Sequence, residues 1–330
     1  MTIGVVILNW NGLELLKQFL PDIIKYSPEA TIYLADNAST DISVQFTEQH
    51  FPEVKIIQNK INGGYAKGYN DALSQVNEDI YILLNNDVQV TPHWLEPIND
   101  IFTKQSDVAA IQPKMLDLKD PEYFEYAGAA GGFIDRFGYP YCRGRIFDTK
   151  EKDLGQYDDE IEIFWASGAC LAVRSEVYKS IDGLDEDYFA HQEEIDLCWR
   201  IKGEGYKIKY TPNSVVYHLG GGTLNSMNPK KTFYNFRNSL FNLMKNIPTS
   251  DLVWVLLGRM ILDGIAGLKF LAEGKLSHFT AILKAHFNFY GKIAKMSAKR
   301  KKIKKFTDYS SIFSVVYGHF VLGIKKYSDL

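Results

Sequence analysis

Four short polar clusters and one acidic group hold the side chains best suited to chemistry. The acidic group is Glu193-Glu194-Ile195-Asp196. Three carboxylates in four residues repel one another and raise the pKa of at least one, and a helix start partly offsets this. A carboxylate tuned in this way suits a general base, although the same run also suits a plain acidic helix N-terminus. The polar clusters are Asn9 with Asn11, Asp36-Asn37, Asn62-Gly63-Gly64 and Asn85-Asn86-Asp87. Asp36 is of the type that accepts hydrogen bonds from a ribose or a base N–H, whereas Ser39, Thr40 and Asp41 are helix-capping types. Gly63 and Gly64 allow close backbone approach, and the run through Lys67 to Asn70 opens a helix whose N–H groups suit a diphosphate. Asp87 suits magnesium or manganese, which take few protein carboxylates when they also bind phosphate. His218, followed by Gly220-Gly221-Gly222, would complete that metal site, though a lone histidine is also a common structural residue.

The elements that must position these groups alternate. Ile3–Leu8, Thr31–Ala35, Val54–Ile57 and Ile80–Leu84 read as buried strands. Leu13–Tyr26 and Ala66–Val76 carry apolar residues at helical spacing, and Asp36–Asp41 opens a helix between them. This alternation predicts an α/β fold with a mainly parallel sheet flanked by helices. Ligands of such sheets sit at the carboxyl ends of the strands, where all four polar clusters fall. Residues 120–162 read as a long excursion over one face. Phe164–Val173 reads as a strand entering the small-residue turn Ala166–Ala169, Ile195–Gly203 as a helix, and Lys207–Tyr210 and Ser214–His218 as two strands.

Beyond about residue 230 the pattern becomes helical. Lys231–Lys245 is amphipathic. Leu252–Ala272 is strongly apolar but contains Arg259, Asp263 and Lys269, so an interfacial or packed helix is expected rather than a membrane span. Lys292–Lys305 is dense in lysine, without an acidic residue. With Phe289, Tyr290, Ile293, Met296 and Phe306 it predicts a helix lying on anionic lipid, the other reading being a solvated basic helix.

Composition removes other classes. The chain has 330 residues, 46% hydrophobic, with a net charge of −3, which gives no field for nucleic acid. Cys142, Cys170 and Cys198 show neither metal spacing nor an even disulfide set, and reduced cytoplasmic thiols are expected. The start, Met1-Thr2 before Ile3–Leu8, predicts no signal peptide. The first turn, Asn9-Trp10-Asn11-Gly12, lacks the three glycines of a dinucleotide fingerprint. Gly63 to Gly68 has P-loop glycine spacing, but Tyr69-Asn70 replaces the lysine and hydroxyl.

Taken in order, the runs Val5–Asn11, Asp36–Asp41, Asn62–Asn70, Leu84–Val88, Trp165–Ala169, His191–Arg200 and Gly205–His218 resemble the family 2 glycosyltransferases of the GT-A fold, nearest their bacterial rhamnosyltransferase-like branch. The resemblance implies inverting transfer of a sugar from a nucleotide diphosphate sugar to a saccharide or lipid-linked saccharide acceptor. It implies a divalent metal, Mn or Mg, at Asp87 with His218 and Asn85. Asn85 stands where the family usually has another acid, which departs from a D-x-D pair. Glu194 aligns with the family's base, with Glu193 its neighbour. Asn9, Trp10, Asn11, Asp36, Asn37, Ser39, Gly63, Gly64, Lys67, Asn70 and Asn86 would contact the donor. Trp165, Ser167 and Gly168 would line the acceptor side. Rhamnose on deoxythymidine diphosphate is the first donor implied, with uridine diphosphate sugars open. A nucleotidyltransferase on a similar sheet, or a binding protein with a degenerate site, are the competing readings. The expected division is residues 1–235 as the catalytic domain and 236–330 as a helical region that associates with membrane or forms a homodimer, placing the protein peripherally at the inner face of the cell membrane.

Overall fold

The computed structural model describes residues 1–220 and 228–330. Of the glycines that follow His218, Gly221 and Gly222 lie outside the described residues.

The first third builds one half of the main sheet. Strands β1 (Ile3–Asn9), β2 (Ala30–Asp36), β3 (Lys55–Gln58) and β4 (Ile80–Asn85) pair in parallel in the order 3-2-1-4. Helices α1 (Leu13–Lys25), α2 (Ser43–His50) and α3 (Gly64–Leu73) connect them. β1 and β4 are buried along nearly their whole length, as expected of strands covered on both faces. The short β5 (Val88–Val90), helix α4 (Leu95–Lys104) and β6 (Val108–Asp117) follow.

The excursion carries a small sheet of β7 (Gly132–Ile134), β8 (Pro140–Cys142), β9 (Arg145–Ile146) and β10 (Thr149–Lys150). The chain then returns through β11 (Ile161–Glu162), β12 (Cys170–Arg174), α5 (Ser175–Ser180), α6 (Glu193–Gly203) and β13 (Lys207–His218). Among the described residues the main sheet has nine strands, in the order 11-13-6-12-4-1-2-3, with β5 paired to β13. β12 runs antiparallel between β4 and β6, and β13 runs parallel to β6.

Two strand expectations differ. Phe164–Val173 is not one strand, because Ser167 N–H is taken by the Gln112 side chain (2.8 Å) and the ladder starts only at Cys170. Lys207–Tyr210 and Ser214–His218 are parts of one strand, with a register shift between Thr211 and Val215. Pro212, which has no N–H to give the ladder, lies in that irregular stretch.

The C-terminal helices are α7 (Pro229–Asn246), α8 (Leu252–Ala272), α9 (Leu276–Arg300) and α10 (Val315–Phe320). α7 runs through the 235/236 boundary expected from sequence, packing on both α6 and α9. α8 turns its charged residues inward. Arg259 and Asp263 are buried and bond each other (2.6 Å), Tyr139 donates to Asp263 (2.9 Å), and Arg259 lies 3.8 Å from the Tyr139 ring centroid. Its outer face is apolar, with Trp254, Leu257, Ile261, Ile265 and Leu268 exposed.

The basic run lies differently from the sequence expectation. α9 ends at Arg300, Phe289 and Met296 are buried, and Lys292, Lys295 and Lys299 reach Asp187 at 3.4, 2.6 and 2.6 Å. Part of the run thus pairs with acids ahead of α6, while Lys301 and Lys302 stay exposed.

Candidate functional site

At the carboxyl ends of β1 and β2 the polar clusters interlock. Asn9 is fully buried, and its amide donates to Ser43 Oγ (2.9 Å) and Ser39 Oγ (3.3 Å) and accepts from Asn86 Nδ2 (3.0 Å). Asn11 adopts a positive φ of 52° and accepts the Thr40 N–H (2.7 Å), while its own N–H donates to Ser39 Oγ (2.9 Å). Asp36 accepts the Ser39 N–H (3.0 Å). Asn37 donates to Asn62 Oδ1 (3.0 Å) and the Gly64 carbonyl (3.1 Å), tying the second cluster to the third. Trp10 stands open at this rim, 49% exposed.

The fourth cluster meets the end of β13. The β5–β13 register sets His218 opposite Val88, and Leu219 N–H donates to the Asp87 carbonyl (3.0 Å). His218 Nε2 then lies 3.1 Å from Asp87 Oδ1, and Nδ1 lies 3.1 Å from Glu125 Oε1, with all three side chains buried. Burial alone would lower the His218 pKa, but the carboxylates on either side raise it to about 10. Asn85 joins through its backbone, donating N–H to the Ala169 carbonyl (3.0 Å).

The acidic group sits at the first turn of α6, with Glu193 buried and Glu194 half-buried. Burial pushes Glu194 up to about 7, and burial plus the neighbouring Glu194 charge pushes Glu193 well above the carboxylate range. Both carboxyl groups are therefore pushed upward, mainly by burial. The loop before them bends through positive φ at Phe189 (67°), His191 (69°) and Gln192 (70°), conformations that cost non-glycine residues about 1–3 kcal/mol each. α7 holds it there. Asn238 donates to the carbonyls of Tyr188 (3.2 Å), Ala190 (2.9 Å) and His191 (2.6 Å), and Arg237 donates to Tyr188 O (2.8 Å). Asp196 is different: burial would raise it, yet Lys245 and Arg200 hold it well below the usual range, so it is an ion-pair partner rather than a base.

The two ends meet at α3. Gly64 has φ +78°, and a Cβ there would lie 2.3 Å from the Phe189 carbonyl, which accepts the Tyr65 N–H (2.7 Å). One face therefore carries a nested polar rim, a carboxylate–imidazole pair and a titratable glutamate, on a mostly parallel sheet. Residues 2–255 match the family described as glycosyltransferase like family 2. The chain belongs to glycosyltransferase family 2. An N-acetylglucosaminyl-diphospho-decaprenol L-rhamnosyltransferase of Mycobacterium tuberculosis is 27% identical over 233 residues, covering 65% of this chain and 75% of the relative. The rhamnosyltransferase WbbL of Escherichia coli is 24% identical over 227 residues, covering 65% and 82%. Among solved structures, S. aureus TarS 1–349 with UDP-GlcNAc superposes at a TM-score of 0.59 with 14% identity, covering 91% of this chain and 84% of that one. A Pyrobaculum calidifontis mannosyltransferase with GDP-Man and Mn2+ gives 0.53 with 12% identity and the same coverage. The fold is GT-A.

Within this family 2 frame, several expected site residues are already engaged. Asn70 donates to the Leu184 carbonyl (2.8 Å) and accepts from Tyr178 (2.6 Å), so it anchors the segment ahead of the base loop. Lys67 bonds Asp71 (2.8 Å), and Gly63 precedes the first turn of α3. Trp165 is buried on Gly132 and donates to the Phe133 carbonyl (2.9 Å), and Ser167 is buried beside it. The Gly168 carbonyl accepts from Tyr65 OH (2.6 Å). Glu125 was not foreseen, since it lies in an irregular stretch with no spacing signal. Asn238 was not foreseen either, because its partners are backbone atoms some fifty positions earlier.

Proposed function

We propose that the chain transfers a sugar, with inversion at its anomeric carbon, from a nucleotide diphosphate sugar to a hydroxyl of a saccharide or lipid-linked saccharide. The relatives' names favour rhamnose as the sugar, with uridine diphosphate sugars as the alternative. The observation that carries this reading is a pair of acid centres in a GT-A frame: a carboxylate–imidazole pair at the sheet rim and, at the start of α6, a glutamate that burial pushes up to about 7.

Asp87 and His218 fit a divalent cation. Their facing atoms are 3.1 Å apart, about the spacing of neighbouring ligands, and Glu125 behind His218 supplies the orienting carboxylate that metal-bound histidines use. Among the described residues no three such side chains form a complete cage, which suits an ion that takes its remaining ligands from phosphate and water. Such an ion would offset the charge that develops on the leaving diphosphate. Glu194 takes the proton of the acceptor hydroxyl. The rim of Asn9, Asn11, Asp36 and Asn37 holds the nucleotide. The test is Glu194→Gln with release of nucleoside diphosphate as readout. Turnover equal to wild type removes Glu194 as base, and release of pyrophosphate instead favours a nucleotidyltransferase.

The outer face of α8 is proposed to rest on an anionic lipid surface, which brings a lipid-linked acceptor to the site. No helix among the described residues is long and apolar enough to cross a membrane. Between Leu252 and Leu268 the exposed residues of α8 carry no charge. Residues 252–330 carry a net charge of +10 against −13 for the rest, and of their lysines Lys284, Lys301, Lys302, Lys325 and Lys326 are exposed without a salt bridge among the described residues. A second copy would set two such positive parts together, whereas anionic headgroups complement them.

A further inference from the structure

Two cations near the metal pair feel the Glu125 charge but form no salt bridge among the described residues. Arg145 is 5% exposed. Its Nη1 donates to the Phe147 carbonyl (3.4 Å), its Nη2 to the Cys142 sulfur (3.3 Å), and its Nε is buried with no partner. Lys231 is half-buried in the first turn of α7. Among the described residues, neither cation forms a salt bridge, and residues 221–227 contain no Asp or Glu.

Both cations share one aromatic ring. Arg145 Cζ lies 4.6 Å and Lys231 Nζ 5.6 Å from the centroid of Tyr126, which is 49% exposed. Tyr126 directly follows Glu125, the residue in contact with His218. On its other side Lys231 acts electrostatically on His191, in the loop before Glu193. Lys231 thus lies within electrostatic reach of both Glu125 and the loop before Glu193.

Holding an unpaired guanidinium away from water is costly, and an anion that binds it recovers that cost. The planar fork of arginine matches phosphate oxygens. Lys231 adds a second charge on the first turn of an 18-residue helix, whose dipole also favours an anion there.

We propose that the side chains of Arg145 and Lys231 form an anion subsite for a phosphoryl group of a diphosphate, adjacent to the Asp87–His218 pair and distinct from it. The subsite rests on the transfer reading above only for the source of that diphosphate. The nucleotide sugar carries one, and a diphosphate-linked acceptor would carry another. The chemistry of recognition is the same for both.

Calorimetric titration of inorganic diphosphate into the full chain, with divalent metal removed, reads the subsite directly. Wild type binds, and Lys231→Gln weakens binding by about tenfold or more, as loss of a charge-assisted contact requires. Arg145→Gln weakens it further, and Arg145→Lys restores part. Thermal unfolding checks that each variant is folded, and Lys231→Gln carries the test alone if the Arg145 variants are not. A rise in KM confined to the nucleotide sugar assigns the subsite to the donor. A rise confined to a diphosphate-linked acceptor, absent with an unphosphorylated sugar acceptor, assigns it to the acceptor. Absence of metal-free binding in wild type, or binding unchanged in Lys231→Gln, overturns the proposal whatever the turnover. Failure of turnover with every donor and acceptor would count instead against the transfer reading.

Discussion

At the donor end of the site, Asp87 and His218 meet because β5 and β13 pair in register, and Glu125 extends the row so that each charge faces an opposite one. At the base end, Glu193 and Glu194 crowd together behind a loop bent through three positive φ angles, and among the described residues neither forms a salt bridge. The donor end is fixed by the sheet and is close to charge-balanced. The base end is fixed from outside, by hydrogen bonds from α7, and carries a desolvated carboxylate. Geometry that comes from a ladder is robust to the loss of one side chain. Geometry imposed on a strained loop is not.

The largest test of this contrast removes the base. Glu194→Gln should lower kcat about a hundred- to ten-thousand-fold, the usual worth of a general base, while a thermal shift with nucleoside diphosphate and metal persists. Asp87→Ala should do the reverse to binding, abolishing the metal-dependent shift. Loss of the shift in Glu194→Gln would erase the division between the two ends.

Next comes the orienting acid. Glu125→Gln should weaken metal affinity about 10–100-fold, as losing the carboxylate behind a metal-bound histidine does, with the loop before Glu193 unaffected. Equal metal affinity in a direct titration would show that the β5–β13 register alone positions His218.

Asn238→Ala should leave metal affinity intact and strike the base end. The Ala190 and His191 carbonyls lose their side-chain donor, for about 1–3 kcal/mol of stability, while Tyr188 keeps Arg237, and kcat should fall with little change in donor KM. A variant that loses stability but keeps kcat would mean that the loop holds its own shape.

The pH profile sharpens the same point. A base works only when deprotonated, and burial has raised Glu194 to about 7, so wild-type activity should rise with pH through about 7 and fall below it. An inflection near 4 would show that the ligand-bound site restores an ordinary carboxylate.

The smallest structural effect with a clear readout lies on α8. Ile261→Asp, at a residue 66% exposed, should change stability by about 0.5 kcal/mol or less and reduce retention on anionic vesicles. Retention equal to wild type would remove α8 as the lipid-facing element.

Much of the donor end was legible. Polar clusters after apolar strands place Asn9, Asp36 and Asp87 together once the sheet is parallel, and His218 ends a strand of the same sheet. Its orienting partner was hidden, because Glu125 sits in a stretch with no period to read. Glu194 was legible as a candidate base, but the loop that holds it was not, since Asn238 acts on carbonyls far off in sequence. Helical spacing at Arg259 and Asp263 reveals that they share a face, but not that this face points inward, since a period fixes faces without fixing which one is covered. The lysines of α9 were misplaced for a related reason: a charge run does not name its partners, and Asp187 lies about a hundred residues earlier.

The hold of α7 on the strained loop bears on how such chains can recombine. A sheet half exchanged between relatives at the end of β13 would bring its own polar rim and its own His218. It would also bring a loop shaped for another helix. The loop Asp185–Gln192 and the helix carrying Arg237 and Asn238 must be inherited together, so the natural seam for shuffling lies after α7, not where the sheet ends.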